Sequence, residues 1–265
     1  MEVYIGQDKN SDSRLYLQKP DVVIRKLAVR YPGEDRDVLD IDNLIIPKAQ
    51  TVGIIGSSGA GKTTLLRTIG GFIEPYFGSV DVSDNKSGNI GFIFQNFNLI
   101  GRSTVFENVL FGRLGKTNRI KSLLGMFSQK DKDLAYEAIK EVNLLDKINQ
   151  RTDTLSGGEM QRTAIARVIT QQAGVILADE PVSNLDPALS HEILDLLVET
   201  STKHGATLII NLHQPALAKR YVQRIIGLRK GSVVFDDESA ELDNSHLNLI
   251  YETEFESSIM FDTKS

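Results

Sequence analysis

The stretch Thr51–Thr64, TVGIIGSSGAGKTT, limits what this chain can become more than any other. Val52, Ile54 and Ile55 read as a buried strand, Gly56, Gly59 and Gly61 permit a tight turn with N–H groups pointing inward, and a helix opens near Lys62. Strand, turn and helix in that order form a cradle for an anion. The first helical turn leaves N–H groups unpaired and carries the positive end of the helix dipole. The spacing GxxxxGK[ST] makes the anion a nucleotide phosphate chain. Lys62 is expected to reach the terminal phosphates and Thr63 to ligate Mg²⁺. Thr64 and the backbone of Gly56, Ser57, Ser58, Gly59, Ala60 and Gly61 are expected to hold the inner phosphates.

Composition narrows the partners. Lys+Arg 30 against Asp+Glu 35 gives a net charge of −5, which argues against nucleic acid or an anionic membrane as the main partner. Zero cysteines remove disulfides, thiolate catalysis and zinc–thiolate sites, and suit a reducing cytoplasm. No apolar run approaches the roughly 18 residues of a membrane span, and the polar N-terminus does not read as a secretory signal. A membrane role therefore requires docking onto another chain.

At 265 residues one large domain with an inserted lobe is expected. Residues 1–20 read as a poorly ordered lead-in and 256–265 as a tail, with the folded domain between them over 21–255. Strands are expected at Val22–Val29 and Leu44–Ile46, forming an antiparallel layer ahead of the cradle strand. The cradle helix should stop at Gly70-Gly71, with strands following at Ser79–Val82 and Ile90–Phe94. Gln95 then begins a loop whose Phe97, Leu99 and Ile100 are more apolar than a solvated loop needs, which suggests a contact surface.

Residues 104–149 lack strand signals and read as helical, with a basic, glycine-broken stretch Arg113–Lys121. Leu134, Ala135, Ala138, Ile139 and Val142 share one helical face. This makes a helical lobe, about 96–170, inserted between two β-rich portions. Ser156-Gly157-Gly158-Glu159 opens its last helix as a capping box, and the two glycines add the close approach that a second anion site would use.

Val175–Ala178 is continuously apolar, as a doubly covered parallel strand should be, and delivers Asp179 and Glu180. Asp179 is placed to hold Mg²⁺ and Glu180 to polarise the water that attacks the γ-phosphate. Asp186 and Pro187 cap and start the next helix. A further buried strand, Thr207–Leu212, delivers His213 at its carboxyl edge, where open α/β sheets bind ligands. Strands at Arg224–Leu228 and Ser232–Phe235 and a helix at Ser239–Tyr251 complete the chain. The fold class is α/β with a mainly parallel sheet.

The ordered set Tyr31, GSSGAGKTT, Gln95, LSGGE, ILADE, SNLD and His213 resembles the ATP-binding subunit of ABC transporters over roughly residues 21–251. The resemblance implies a P-loop NTPase core with an antiparallel β subdomain and an inserted helical subdomain, using ATP and Mg²⁺. It implies that Tyr31 stacks on adenine, that Gln95 senses the γ-phosphate, joins Thr63 and Asp179 around Mg²⁺ and couples to a membrane subunit, and that His213 contacts the γ-phosphate. It further implies a sandwich of two copies, in which Ser156–Glu159 of one completes the cradle of the other and the loop Ser183, Asn184, Leu185, Asp186 lies across the interface.

Within that family NLIGRSTVFENVLFGRLG, ILADEPVSNLDP, INLHQPALAKRYVQRIIGL and LNLIYE look like the ATPase of phosphonate importers, with phosphite and phosphate esters as the alternative solutes. Ser103, where that family usually has Leu, and LSGGEMQR in place of LSGGQQQR are departures. The expected partners are a second copy, integral membrane permease subunits and, through them, a solute-binding protein, at the cytoplasmic face of the cell membrane. Two other readings compete: a soluble ABC protein working on ribosomes or DNA, and the ATPase of another transporter class. The first usually carries two cassettes or a long coiled-coil insertion, and this chain shows neither.

Overall fold

The computed structural model describes residues 19–83, 89–116 and 127–251. Most of the expected lead-in, the 256–265 tail and part of the basic stretch, 117–121, lie outside the described residues.

Two sheets organise the chain. The small one is antiparallel, in the order β2-β1-β4, from β1 (Val22–Val29), β2 (Leu39–Ile46) and β4 (Phe77–Val82). The expected β2 began at Leu44; it begins at Leu39, because Leu39 and Ile41 are buried with Asp40 exposed between them, and the pairing keeps one register through to Val29↔Leu39. The strand expected from Ser79 likewise begins at Phe77.

The large sheet is ordered β5-β6-β7-β3-β8-β9. Its strands are β3 (Thr51–Ile55), β5 (Ile90–Ile93), β6 (Val175–Ala178), β7 (Thr207–Asn211), β8 (Arg224–Arg229) and β9 (Ser232–Glu238). β5, β6, β7, β3 and β8 pair in parallel and β9 closes the edge antiparallel to β8.

Both faces are covered, which is why these strands are apolar without alternation. Val52, Ile54, Val175, Leu177 and Ile209 pack with the small sheet and with α1 (Lys62–Ile69). Their neighbours Ile55, Ile176, Ala178, Leu208 and Ile210 pack on the opposite face. That face carries the helical segment between β5 and β6, namely α2 (Val105–Leu110), α3 (Gln129–Glu141) and α4 (Gly157–Gln171), together with α5 (Pro187–His204) and α6 (Pro215–Tyr221). On α3, Ala135, Ala138 and Ile139 are buried as the periodicity predicts, and Leu134 is half-buried. The helix expected over Ser239–Tyr251 divides into a single 3-10 turn and α7 (Asn244–Tyr251).

Capping follows the local sequence. α2, α3 and α4 each open with a reciprocal box, Thr104 with Glu107, Ser128 with Asp131 and Ser156 with Glu159. Asp186 caps α5, with Pro187 at its first position and Gly205 closing it in the left-handed conformation.

Candidate functional site

The sheet register determines what meets at its carboxyl edge. Ile54 pairs with Asn211 and Ala178 with Ile210, so the chain leaves β3, β6 and β7 at nearly one level. The turn from Gly56, the pair Asp179-Glu180 and His213 therefore converge from three strands that sequence separates widely.

Gly56 leaves β3 at φ 155°, and a Cβ there would lie 2.3 Å from the Leu228 carbonyl oxygen on the neighbouring strand. The turn is closed by Ala60 N–H donating to Ser57 O at 3.2 Å, while Ser57, Ser58 and Gly59 are exposed. Ala60 and Gly61 are buried at the entry to α1. The Lys62 ammonium folds back over the turn and donates to Gly56 O at 2.8 Å and Ser57 O at 2.9 Å. Burial pushes this ammonium below its ordinary value, and the Glu180 and Asp179 carboxylates pull it back up. A cation held beside backbone N–H groups can meet the phosphates of a nucleotide.

Thr63 Oγ1 donates to Asp179 Oδ1 at 3.0 Å. A hydroxyl and a carboxylate in contact are the hard oxygen donors that Mg²⁺ takes. Among the described residues no group of three or more His, Cys, Asp or Glu could hold a metal. One or two protein oxygens supplemented by substrate phosphates is the arrangement usual for Mg²⁺, so the pair fits that ion. Among the described residues no hydrogen bond joins Gln95 to this pair; its amide donates to Glu180 Oε2 at 3.0 Å and reaches Ser183 Oγ at 3.5 Å.

Glu180 has both carboxylate oxygens engaged. His213 Nε2 meets Oε1 at 2.5 Å, and Gln95 donates to Oε2. Its backbone sits at φ 50°, in the left-handed region that a non-glycine residue enters only when its surroundings compel it. The turn that follows supplies part of that compulsion, with the Ser183 N–H and Oγ donating to the Glu180 carbonyl at 3.3 and 3.2 Å. The result is one cluster of Gln95, Glu180, Ser183 and His213 beside the Thr63–Asp179 pair.

Tyr31, two residues beyond β1, lies against the cradle helix, its hydroxyl 3.1 Å from Thr64 Oγ1. Tyr31 as a whole is 38% exposed, which leaves it accessible to a ligand.

Ser156, Gly157, Gly158 and Glu159 stand apart from this cluster. Among the described residues no hydrogen bond or ion pair joins them to residues 56–64, Asp179 or Glu180. The box is closed on itself: Glu159 accepts from Ser156 N–H at 2.8 Å and from its hydroxyl at 2.9 Å, and those bonds hold the Glu159 carboxyl below the usual carboxylate range. Gly158 also answers a packing demand, since a Cβ there would come within 2.7 Å of Leu189 Cδ2 on α5. A Cβ at Gly157 would come within 3.4 Å of Leu185 Cδ2, so the loop Ser183–Asp186 and the start of α4 lie close together within one chain. Asn184 is exposed at the tip of that loop.

The apolar loop after Gln95 is partly a packing feature. Leu99 is half-buried against the core, while Ile100 is 54% exposed. Arg167 on α4 donates to the carbonyls of Asn98 at 2.7 Å and Phe97 at 3.1 Å, and Asn108 brackets the Ile100 backbone. One residue of the site went unnoticed in the residue pattern: Asn211 donates to Asp179 Oδ1 at 2.7 Å. A lone amide closing the buried apolar strand TLIIN was the available signal.

Comparisons with known proteins agree with this geometry. Residues 39–183 match the family described as ABC transporter. The phosphonates import ATP-binding protein PhnC 1 of Oceanobacillus iheyensis is 42% identical over 242 residues, covering 87% of this chain and 93% of the relative. The corresponding PhnC of Bacillus cereus is 43% identical, covering 81% and 88%. Among solved structures, the dimeric post-hydrolysis state of the ATP-binding cassette MJ0796 bound to ADP and Pi is 30% identical with a TM-score of 0.68, covering 82% of this chain and 98% of that one. With cradle, paired carboxylates and carboxyl-edge histidine gathered on one sheet, the chain belongs to the ABC transporter family as an ATP-binding, ATP-hydrolysing subunit.

Proposed function

We propose that this chain is the motor of a phosphonate importer, coupling ATP binding and hydrolysis to solute movement through separate membrane subunits. The observation that carries the subclass is the identity of 42% to a phosphonates import protein over 87% of the chain. No described helix is long and apolar enough to cross a membrane; in this reading other chains form the pore. Those permease subunits would hold the protein at the cytoplasmic face of the membrane and would receive solute from a solute-binding protein.

The residues divide the work. Lys62 and the turn Gly56–Gly61 bind the phosphates, and Tyr31 supplies an aromatic face for adenine. Thr63 and Asp179 would hold Mg²⁺, with Gln95 close by; the ion supplies charge neutralisation on the phosphates. Glu180 orients and polarises the attacking water, while His213 and Gln95 fix its carboxylate and are positioned to meet the γ-phosphate. Because Ser156–Glu159 do not meet the cradle of their own chain, their nucleotide contact would come from a second copy, across an interface containing Ser183, Asn184, Leu185 and Asp186. The dimeric form of the MJ0796 cassette supports this reading.

The test is growth of a strain lacking this chain with a phosphonate, phosphite or phosphate as sole phosphorus source. Loss of growth on the phosphonate alone, restored by the wild-type chain and not by Glu180→Gln, is expected. Unimpaired growth on phosphonates would overturn the assignment.

A further inference from the structure

Asp179 is expected to face a metal ion, and a carboxylate can do so only if its own orientation is fixed. Two donors reach the same oxygen: Thr63 Oγ1 at 3.0 Å and Asn211 Nδ2 at 2.7 Å, both on Oδ1. Thr63 is itself a proposed ligand: its lone pairs would face the metal while its proton stays on Asp179, so this contact is part of the metal site rather than a support from outside it. Asn211 has no such second duty.

Its placement is rigid. Asn211 is fully buried at the end of β7, in parallel register with Ile54, the residue two before the cradle's first glycine. A carboxylate accepts, so the nitrogen of the Asn211 amide must be the atom facing it. The amide oxygen is thereby turned away, and Oδ1 is buried with no hydrogen-bond partner. A buried amide with half its capacity unused costs stability, and valine or isoleucine would suit the strand better. That costly polar group stands where β7 bonds Asp179.

We infer that Asn211 is a positioning residue of the metal site: its amide pins Oδ1 of Asp179 and so turns the carboxylate's other oxygen toward the ion. This rests on the assignment of Thr63 and Asp179 to Mg²⁺. Partners that orient a metal-binding carboxylate typically matter by about 10–100-fold in metal affinity or activity. A residue that only stabilised the strand would affect nucleotide binding with and without metal alike.

The experiment is binding of a fluorescent, non-hydrolysable ATP analogue to the full chain, titrated in Mg²⁺ and again in EDTA. Wild type, Asn211→Val, Asp179→Asn and the double variant are compared. The expected result is that Asn211→Val reduces the Mg²⁺-dependent gain in affinity at least about tenfold, leaves affinity in EDTA within about twofold, and adds nothing further in the Asp179→Asn background. Equal losses in both titrations, an undiminished Mg²⁺ gain, or a full additional loss on top of Asp179→Asn would each overturn the inference. If Asp179→Asn itself keeps the wild-type Mg²⁺ gain, it is the metal assignment that fails. Should the valine protein lose its melting transition, Asn211→Ser is read by the same two titrations.

Discussion

His213 and Glu180 arrive from different strands, 33 positions apart in sequence, and meet at 2.5 Å through Nε2 and Oε1, with Gln95 on the other carboxylate oxygen. The carboxylate is held by both neighbours in one orientation. Orientation of this kind costs nothing at the moment of reaction.

Glu180→Gln keeps the shape of this cluster and removes the charge. ATP hydrolysis should slow by at least about 10²-fold, as expected for losing a positioned base, while nucleotide binding survives. The variant should then accumulate as an ATP-dependent dimer in size-exclusion chromatography, and adding Ser156→Arg should abolish the dimer by filling the place of the second cradle. A Glu180→Gln protein that hydrolyses ATP normally would remove Glu180 from the mechanism.

Lys62→Ala takes away the ammonium that spans Gly56 O and Ser57 O. No water can carry the same charge in the closed site, so ATP turnover should fall to background in a phosphate-release assay. Near-normal turnover would contradict the role of the cradle.

Tyr31 tests the ring against the hydroxyl. Its hydroxyl bonds Thr64 Oγ1, yet the residue as a whole is left accessible to a base. Tyr31→Phe should bind ATP nearly as wild type, whereas Tyr31→Ala should lose about 0.5–1.5 kcal/mol in a calorimetric titration. Equal losses in the two variants would assign the effect to the hydroxyl.

Gly56→Ala places a Cβ 2.3 Å from the Leu228 carbonyl oxygen at a backbone φ of 155°. A backbone atom on a central strand cannot move aside, so the melting temperature should drop, corresponding to a loss of about 1–3 kcal/mol. A melting temperature equal to wild type would show that the turn relaxes freely.

Glu159 gives a pH signature. Its carboxyl is held below the ordinary value of 4.5 by bonds from the Ser156 backbone and hydroxyl. The folded state therefore binds its proton less readily than the unfolded chain, so the contribution is complete above pH 4.5 and disappears as pH falls through the lowered value. Glu159→Gln, whose amide oxygen still accepts the Ser156 N–H, should lose less stability than wild type over that acid range in parallel melting curves. Parallel curves at every pH would show the box contributes no linkage.

The amino-acid sequence by itself determined the elements whose cause is local. Glycine spacing before Lys62, the reciprocal box at Ser156, the Asp186-Pro187 helix start and the unbroken apolar strand before Asp179 each depend on residues within one or two turns of one another, so they are legible in linear order. The full extent of β2 was not, because its first residues are exposed and buried in alternation only once paired with β1. Nor was Asn211: an amide in an apolar strand acquires meaning only from the carboxylate that parallel pairing of β6 and β7 sets beside it. The joining of Gln95, Glu180 and His213 likewise depends on strand order, and strand order is decided by which faces can be buried together, a property of the whole sheet that no single stretch of sequence contains.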